Sequence, residues 1–379
     1  MGTLLILTAL QDIYKKDEIL ADYEHNLWTL NPEHQSTEAK PSEFEIFSDR
    51  IHRLWPNCVL SARCAIRPGP DMPVLNLAYL KELLLSKDLS RDAELAWVST
   101  KNLRFLDGAK TFGEQVAFQS MARSGNSFLR RVVELITGVY TGSDMNLNLT
   151  MHLYHGNMAG EETVSHEDIV WVTKTHWPMG SPLGSVKFSA QKCISIVRNP
   201  IDILPSLALL MNLMSHSLQS EVPLNKVDPE WWDRFVKELT RTINLNCTRM
   251  IEECEPVIPT YYIRYEDLCL NPNPVLMELF CFLLDVPSID GTVVEKRIID
   301  YCSKGSEAAA VYKMKAQPTR NLSRNAGMYT QAQLDYIKEG ARDFLYYYGY
   351  TDHPTQADPN TTFFNYKEGQ VQHDQAKLD

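Results

Sequence analysis

Three short stretches of the chain combine cations with hydroxyl, amide or imidazole groups where an apolar run gives way to a helical one. The first runs from Val116 to Phe128 and holds Arg123, Ser124, Gly125, Asn126 and Ser127 in sequence. A glycine in such a turn lets the backbone approach an anion, while the exposed amides of the helix start and the arginine fork supply positive potential. The second runs from Ile194 to Ser206, with Arg198 at the end of the apolar run and Ser206 eight residues further on. That spacing is about two helical turns, so both side chains can reach one phosphate beside a strand edge. The third, Ile169 to Pro178, is an apolar strand ending in Lys174 and His176. An imidazole there is suited to take a proton from a hydroxyl. Singly, an arginine after a strand is usually a surface ion pair and an isolated histidine is usually structural. Opening onto one sheet edge, the three form a site for a phosphorylated ligand. No G-x-x-x-x-G-K-[ST] sequence occurs, which removes the main support for a nucleotide kinase or hydrolase, a reading that would require tight ATP binding.

The elements that must hold these groups alternate. Strands are expected at Val116 to Ser120, Ile169 to Thr173, Cys193 to Val197 and Thr260 to Ile263. Helices are expected at Phe128 to Thr137, Asp202 to Ser215, Trp231 to Glu253, Val275 to Leu284 and Gln331 to Tyr347. Such alternation predicts an α/β fold, a central mostly parallel sheet flanked by helices, with ligands at the carboxyl ends of the strands. Residues 1–108 read as a helical N-terminal extension. Ser42 and Glu45 make a capping-box pattern before Phe44, Phe47, Ile51 and Leu54, a second helix is expected from Leu77 to Leu85, and prolines separate the two. The α/β domain is expected over residues 109–351, and residues 352–379 read as a polar C-terminal tail.

Composition narrows the classes of function. A chain of 379 residues holds one large α/β domain with an appendage. Its 37 Lys and Arg against 48 Asp and Glu leave a formal charge of -11, the wrong sign for a general nucleic-acid binder, so an anionic ligand must be held by a local cluster. Eight cysteines form no C-x-x-C pair and read as reduced thiols of a cytoplasmic protein. The apolar run Leu4 to Leu10 is too short to span a membrane, no transmembrane segment is expected, and Ile6 breaks the myristoylation pattern after Gly2. His152, His155 and His166 lack a supporting cysteine or carboxylate cluster, so no metal is expected. Met211, Leu213, Met214, Trp231 and Trp232 read either as an acceptor pocket or as plain core.

Together the three stretches resemble the sulfotransferase family. R-S-G-N-S-F looks like its 5′-phosphosulfate loop, V-R-N-P-I-D-I-L-P-S like its 3′-phosphate motif, and K-T-H-W-P like the catalytic segment of its cytosolic members, in the same order. The likeness extends from about Thr111 to Tyr350. It implies a P-loop-like fold that uses 3′-phosphoadenosine-5′-phosphosulfate (PAPS) as co-substrate, without a metal. It further implies that Arg123, Ser124, Gly125, Asn126 and Ser127 hold the phosphosulfate and that Phe128 lies beside adenine. Arg198 and Ser206 would bind the 3′-phosphate, Tyr265 and Ser303 would complete the nucleoside pocket, and Lys174 and His176 would face sulfate and acceptor.

The chain departs from the family pattern in three places. Arg123 stands where cytosolic members usually carry lysine and matches membrane-anchored carbohydrate enzymes; it can stabilise charge but not donate a proton. Phe128 replaces a tryptophan and offers less stacking area. The basic-glycine loop over the 3′-phosphate is matched only by Arg320 to Gly327, with Arg324 preferred over Arg320. The expected activity is in-line transfer of a sulfuryl group to a hydroxyl or amine acceptor, a small molecule or a glycan, with His176 as general base and Lys174 and Arg123 stabilising developing charge. The alternative is a structural or adaptor subunit that docks a partner, or a second copy of itself, through its N-terminal extension.

Overall fold

The computed structural model describes residues 58–60, 66–95, 103–108, 114–144, 169–178, 189–213, 224–304 and 325–350. The helix expected after Ser42, the histidines of the 152–166 stretch, Met214, Arg320, Arg324 and the C-terminal tail lie outside them, as do the side chains of Met211 and Leu213. A two-stranded antiparallel hairpin, β1 (Cys58–Leu60) and β2 (Ile66–Pro68), precedes helix α1 (Leu77–Leu85). The segment before residue 108 is therefore not purely helical. Nor is it simply appended, because Leu75, Leu80, Leu84 and Leu106 pack into the same core as the central sheet. Arg297 completes the join: its guanidinium donates to Asp92 Oδ1 at 2.8 Å, to the Leu95 carbonyl at 2.8 Å and to the Leu135 carbonyl at 3.0 Å.

The sheet has five strands: β3 (Val116–Ser120), β4 (Gly142–Ser143), β5 (Val172–Thr175), β6 (Lys192–Val197) and β7 (Thr260–Arg264). Their order is β4-β5-β3-β6-β7 and every pairing is parallel. β3 comes first of these in the chain and lies in the middle. The chain goes from β3 to the edge strand β4, returns with β5 between the two, then crosses to the other side with β6 and β7. Such a reversal opens a crevice at the carboxyl end of the central strand, here between the loops that follow β5 and β6.

Side-chain alternation along the strands gives each face its packing. On one face Phe118, Ile194, Ile196 and Ile263 pack with α1 and with Leu129, Leu279, Phe280 and Ile298. These last come from α2 (Asn126–Thr137), α7 (Pro272–Leu284) and α8 (Val293–Lys304). On the other face Ser195 donates to Gln119 Oε1 at 2.6 Å and Gln119 Nε2 donates to Asn246 Oδ1 at 3.3 Å. Asn246 belongs to α5 (Pro229–Arg249), which starts on an Asp228 cap and ends in a π turn over Met250–Cys254. Trp232, Phe235 and Ile243 of α5 pack with Ile337, Phe344 and Tyr348, and Trp231 stacks on Phe235 at 4.9 Å. Both tryptophans thus serve the core. The helix expected from Gln331 to Tyr347 is two helices, α9 (Gln331–Gly340) and α10 (Arg342–Tyr347), and Ala341 leaves helical geometry between them. Two shorter helices, α4 (Leu224–Val227) and α6 (Tyr265–Leu270), complete the set.

Helix α3 (Pro200–Leu213) carries Pro205 inside it. Proline has no amide hydrogen, so the carbonyl four residues earlier, Ile201, loses its helical donor. The Tyr329 hydroxyl replaces it at 2.9 Å. Replacing Tyr329 with Phe leaves that buried carbonyl unmatched and should cost about 1–2 kcal/mol of unfolding free energy in urea titration.

Candidate functional site

Arg123 at φ 72° and Gly125 at φ 100° both take left-handed backbone geometry in the turn between β3 and α2. The glycine is required twice over. A Cβ at position 125 would sit 2.5 Å from Tyr265 Cδ2 and 2.9 Å from Cε2, inside the ring's contact distance. For Arg123 the same geometry costs about 1 kcal/mol, and such strain in a non-glycine residue is a recurrent mark of functional turns. Gly125 caps α2, so the first amides of that helix open towards the turn. Asn126 Nδ2 donates to Ser120 Oγ at 3.0 Å and steadies the turn from beneath. The Ser124 hydroxyl is buried and has no hydrogen-bond partner.

The β6–α3 loop docks onto this turn. Arg198 Nη1 donates to the Arg123 carbonyl at 3.0 Å, and its guanidinium carbon lies 4.5 Å from the Tyr265 ring centroid. Arg198 Nε is buried with no acceptor. Arg123 Nε in turn donates to Ser206 Oγ at 2.8 Å. Ser206, expected to reach one phosphate together with Arg198, thus also meets the arginine of the neighbouring turn.

His176 reaches the same turn from β5. Its Nδ1 lies 2.8 Å from the Ser120 carbonyl. A carbonyl only accepts, so Nδ1 carries the hydrogen and the basic lone pair is on Nε2. Lys174, two residues earlier, is 7% exposed although cationic. Asp144 lies beyond β4, and its amide donates to the Lys174 carbonyl at 3.0 Å. Burial raises the Asp144 carboxyl above its ordinary range; a hydrogen bond with Thr175 and the charges of Lys174 and Arg130 pull it back.

The expected nucleoside contacts divide. The Phe128 and Tyr265 rings meet edge to face, with centroids 6.5 Å apart. Ser303 is exposed near the end of α8 and donates to the Asp300 carbonyl at 3.1 Å. Its neighbours Tyr301 and Cys302, rather than Ser303, pack into the cluster holding Phe128 and Tyr265. Asn325, next to the undescribed Arg324, donates to Asp202 Oδ1 at 2.7 Å on α3. Among the described residues no group of His, Cys, Asp or Glu is placed to hold a metal, and no helix is long and apolar enough to cross a membrane.

The site therefore gathers cations, helix amides and a tautomerically fixed imidazole around one turn, the equipment for binding an anion and accepting a proton beside it. The profile of the sulfotransferase domain family matches residues 94–337. The chain belongs to that family. Among solved structures, mouse sulfotransferase SULT7A1 complexed with PAP matches this sulfotransferase at 16% identity, over 61% of this chain and 85% of that chain, with a TM-score of 0.36. Comparison with curated proteins gave no match.

One group in this sulfotransferase escaped sequence reasoning although it shapes the site. Glu266 Oε1 accepts from the Asn199 amide at 2.9 Å, and its Oε2 accepts from the Tyr350 hydroxyl at 2.8 Å. It fixes the loop beginning at Arg198 to the start of α6 and to the far end of the domain. In sequence it is one acid among 48 Asp and Glu, and the only hint is its place beside Tyr265 at a strand-to-helix junction.

Gly125→Ala should destabilise the protein by more than about 1 kcal/mol in thermal unfolding, because the positive φ and the Tyr265 ring both oppose a Cβ. Burial lifts the Glu266 carboxyl above the ordinary range, against the bonds from Asn199 and Tyr350. A carboxyl raised in the folded state contributes most stability below its unfolded value and loses that contribution as pH rises through the folded one. The unfolding free energy of Glu266→Gln relative to the unsubstituted protein should therefore climb as pH rises above about 4.3, read from urea titrations across pH.

Proposed function

We propose that this sulfotransferase takes the sulfuryl group of PAPS and passes it to a hydroxyl or amine acceptor, a small molecule or a glycan. The observation that carries the reading is the meeting of Arg123, His176 and Arg198 on the Ser120–Gly125 turn, through the bonds from His176 Nδ1 to Ser120 and from Arg198 Nη1 to Arg123. The residues present suit the donor. Ser124 Oγ and Arg198 Nε are buried hydrogen-bond donors lacking acceptors, and phosphate or sulfate oxygens supply only acceptors.

In this reading Arg123, Ser124, Gly125, Asn126 and Ser127 hold the phosphosulfate end, and Arg198 with Ser206 holds the 3′-phosphate. Arg324, outside the described residues, would close over that phosphate. Phe128 and Tyr265 flank adenine, with Ser303 at the rim. The donor supplies the sulfuryl group, whose bond to phosphate oxygen breaks as the acceptor oxygen or nitrogen bonds to sulfur. His176 Nε2 takes the acceptor's proton. Lys174 and Arg123 stabilise negative charge on the transferring group and on the departing phosphate, and Arg123 does so without giving up a proton.

His176→Ala should lower transfer of labelled sulfuryl, scored against a panel of phenols, amines, sterols and sugars, by about a hundredfold or more, with affinity for PAP kept in calorimetry. Arg198→Ala should weaken PAP binding by at least about tenfold. Normal turnover in His176→Ala would remove the base assignment. A chain that binds no PAP would instead be a sulfotransferase-like scaffold.

A further inference from the structure

Asp144 and Thr175 are each 5% exposed, side by side at the carboxyl end of the sheet. The β4–β5 ladder pairs Ser143 with Lys174, and the bond from the Asp144 amide to the Lys174 carbonyl carries the pairing one residue further. Asp144 thereby arrives beside Thr175, the residue immediately before His176.

The Thr175 hydroxyl has two partners. Its oxygen accepts from the Trp177 amide at 3.0 Å, and it also bonds the Asp144 carboxylate. A hydroxyl has one hydrogen. Since the amide can only donate, the hydroxyl hydrogen goes to the carboxylate. The resulting chain, Asp144 carboxylate to Thr175 hydroxyl to Trp177 amide, spans the backbone on both sides of His176. The imidazole is held independently by the Ser120 carbonyl. Ring and backbone of His176 are thus fixed by separate bonds.

Asp144 is an expensive way to orient a hydroxyl. Its Oδ1 is buried and has no hydrogen-bond partner. A buried carboxylate that served stability alone would be expected to have its oxygens satisfied, and an incompletely bonded one beside a reactive group marks a constraint imposed by function. Burial raises its carboxyl above the ordinary range, and the Thr175 hydrogen bond together with the facing charges of Lys174 from β5 and Arg130 from α2 acts against that rise.

We infer that Asp144 is a positioning residue for the general base, acting through Thr175 to fix the turn that carries His176. This rests on the assignment of His176 above. Displacements on the order of 1 Å at a reacting group cost about a hundredfold in rate, so the effect should appear in kcat and not in donor affinity.

The test compares Thr175→Val, which keeps the branched shape but removes the hydroxyl, with Thr175→Ser, which keeps the hydroxyl. Hydrogen exchange at the Trp177 amide is the direct readout and requires no acceptor. It should quicken about tenfold or more in Thr175→Val and in Asp144→Ala, and return towards the original rate in Thr175→Ser. With the best acceptor from the panel, kcat should fall about tenfold or more in Thr175→Val, with PAP affinity unmoved in calorimetry, and recover in Thr175→Ser. Pairing Asp144→Ala with Thr175→Val should add little to either alone, because both break one chain. Unchanged Trp177 exchange in Thr175→Val overturns the inference. So does a loss of PAP affinity in step with kcat, which would show general damage, or an equal loss of kcat in Thr175→Ser. His176→Ala run in parallel separates the two levels. Normal turnover there ends the functional reading, whereas an inactive His176→Ala beside a fully active Thr175→Val ends the positioning inference alone.

Discussion

The hydrogen bond from Arg198 Nη1 to the Arg123 carbonyl holds two cationic side chains on different loops at one turn. Left to electrostatics alone, two guanidinium groups separate. Here the backbone of the first serves as acceptor for the second, and the Tyr265 ring face takes up the other side of Arg198 at 4.5 Å. Just behind, the Glu266 carboxyl accepts from the amide that follows Arg198 and fixes that loop. With a formal charge of -11, the chain has no general positive field to attract an anion. Local geometry must concentrate it.

That geometry depends on strand order. Because β3 is central, with β5 beside it on one side and β6 on the other, the β3–α2 turn lies between the loops after β5 and β6. His176 arrives from one side and Arg198 from the other. Moving β3 to an edge would leave the same motifs in the sequence and only one of those neighbours within reach. The core serves this arrangement: Phe118, Ile194, Ile196 and Ile263 fix the strands against the helices on one face, and Trp232, Phe235 and Ile243 support the other.

Runs of apolar and β-branched residues made β3, β6 and β7 visible in the sequence with boundaries close to those observed. Lys174 and Thr175 belong to β5 although the apolar run thins before them. β4 was invisible, since Gly142 and Ser143 have little preference for a strand and pair only because β5 is beside them. The three motifs converge as their residue types suggested. The Ser206 contact with Arg123 was not legible, for two helical turns set the height of Ser206 along α3 but not its neighbours on other loops. Glu266 and Asp144 could not be singled out, because what distinguishes them is burial, and burial belongs to the assembled core rather than to any local window. Tyr329 was equally hidden: its bond to Ile201 answers the gap left by Pro205, over a hundred positions earlier in the chain.

The 2.5 Å that would separate a Cβ at position 125 from the Tyr265 ring couples two positions far apart in sequence. A lineage that enlarges the first must shrink or swing the second, and in doing so strips Arg198 of the aromatic face beneath it. A larger residue at position 125 is therefore felt at Arg198 as well, through a ring to which neither is adjacent in sequence.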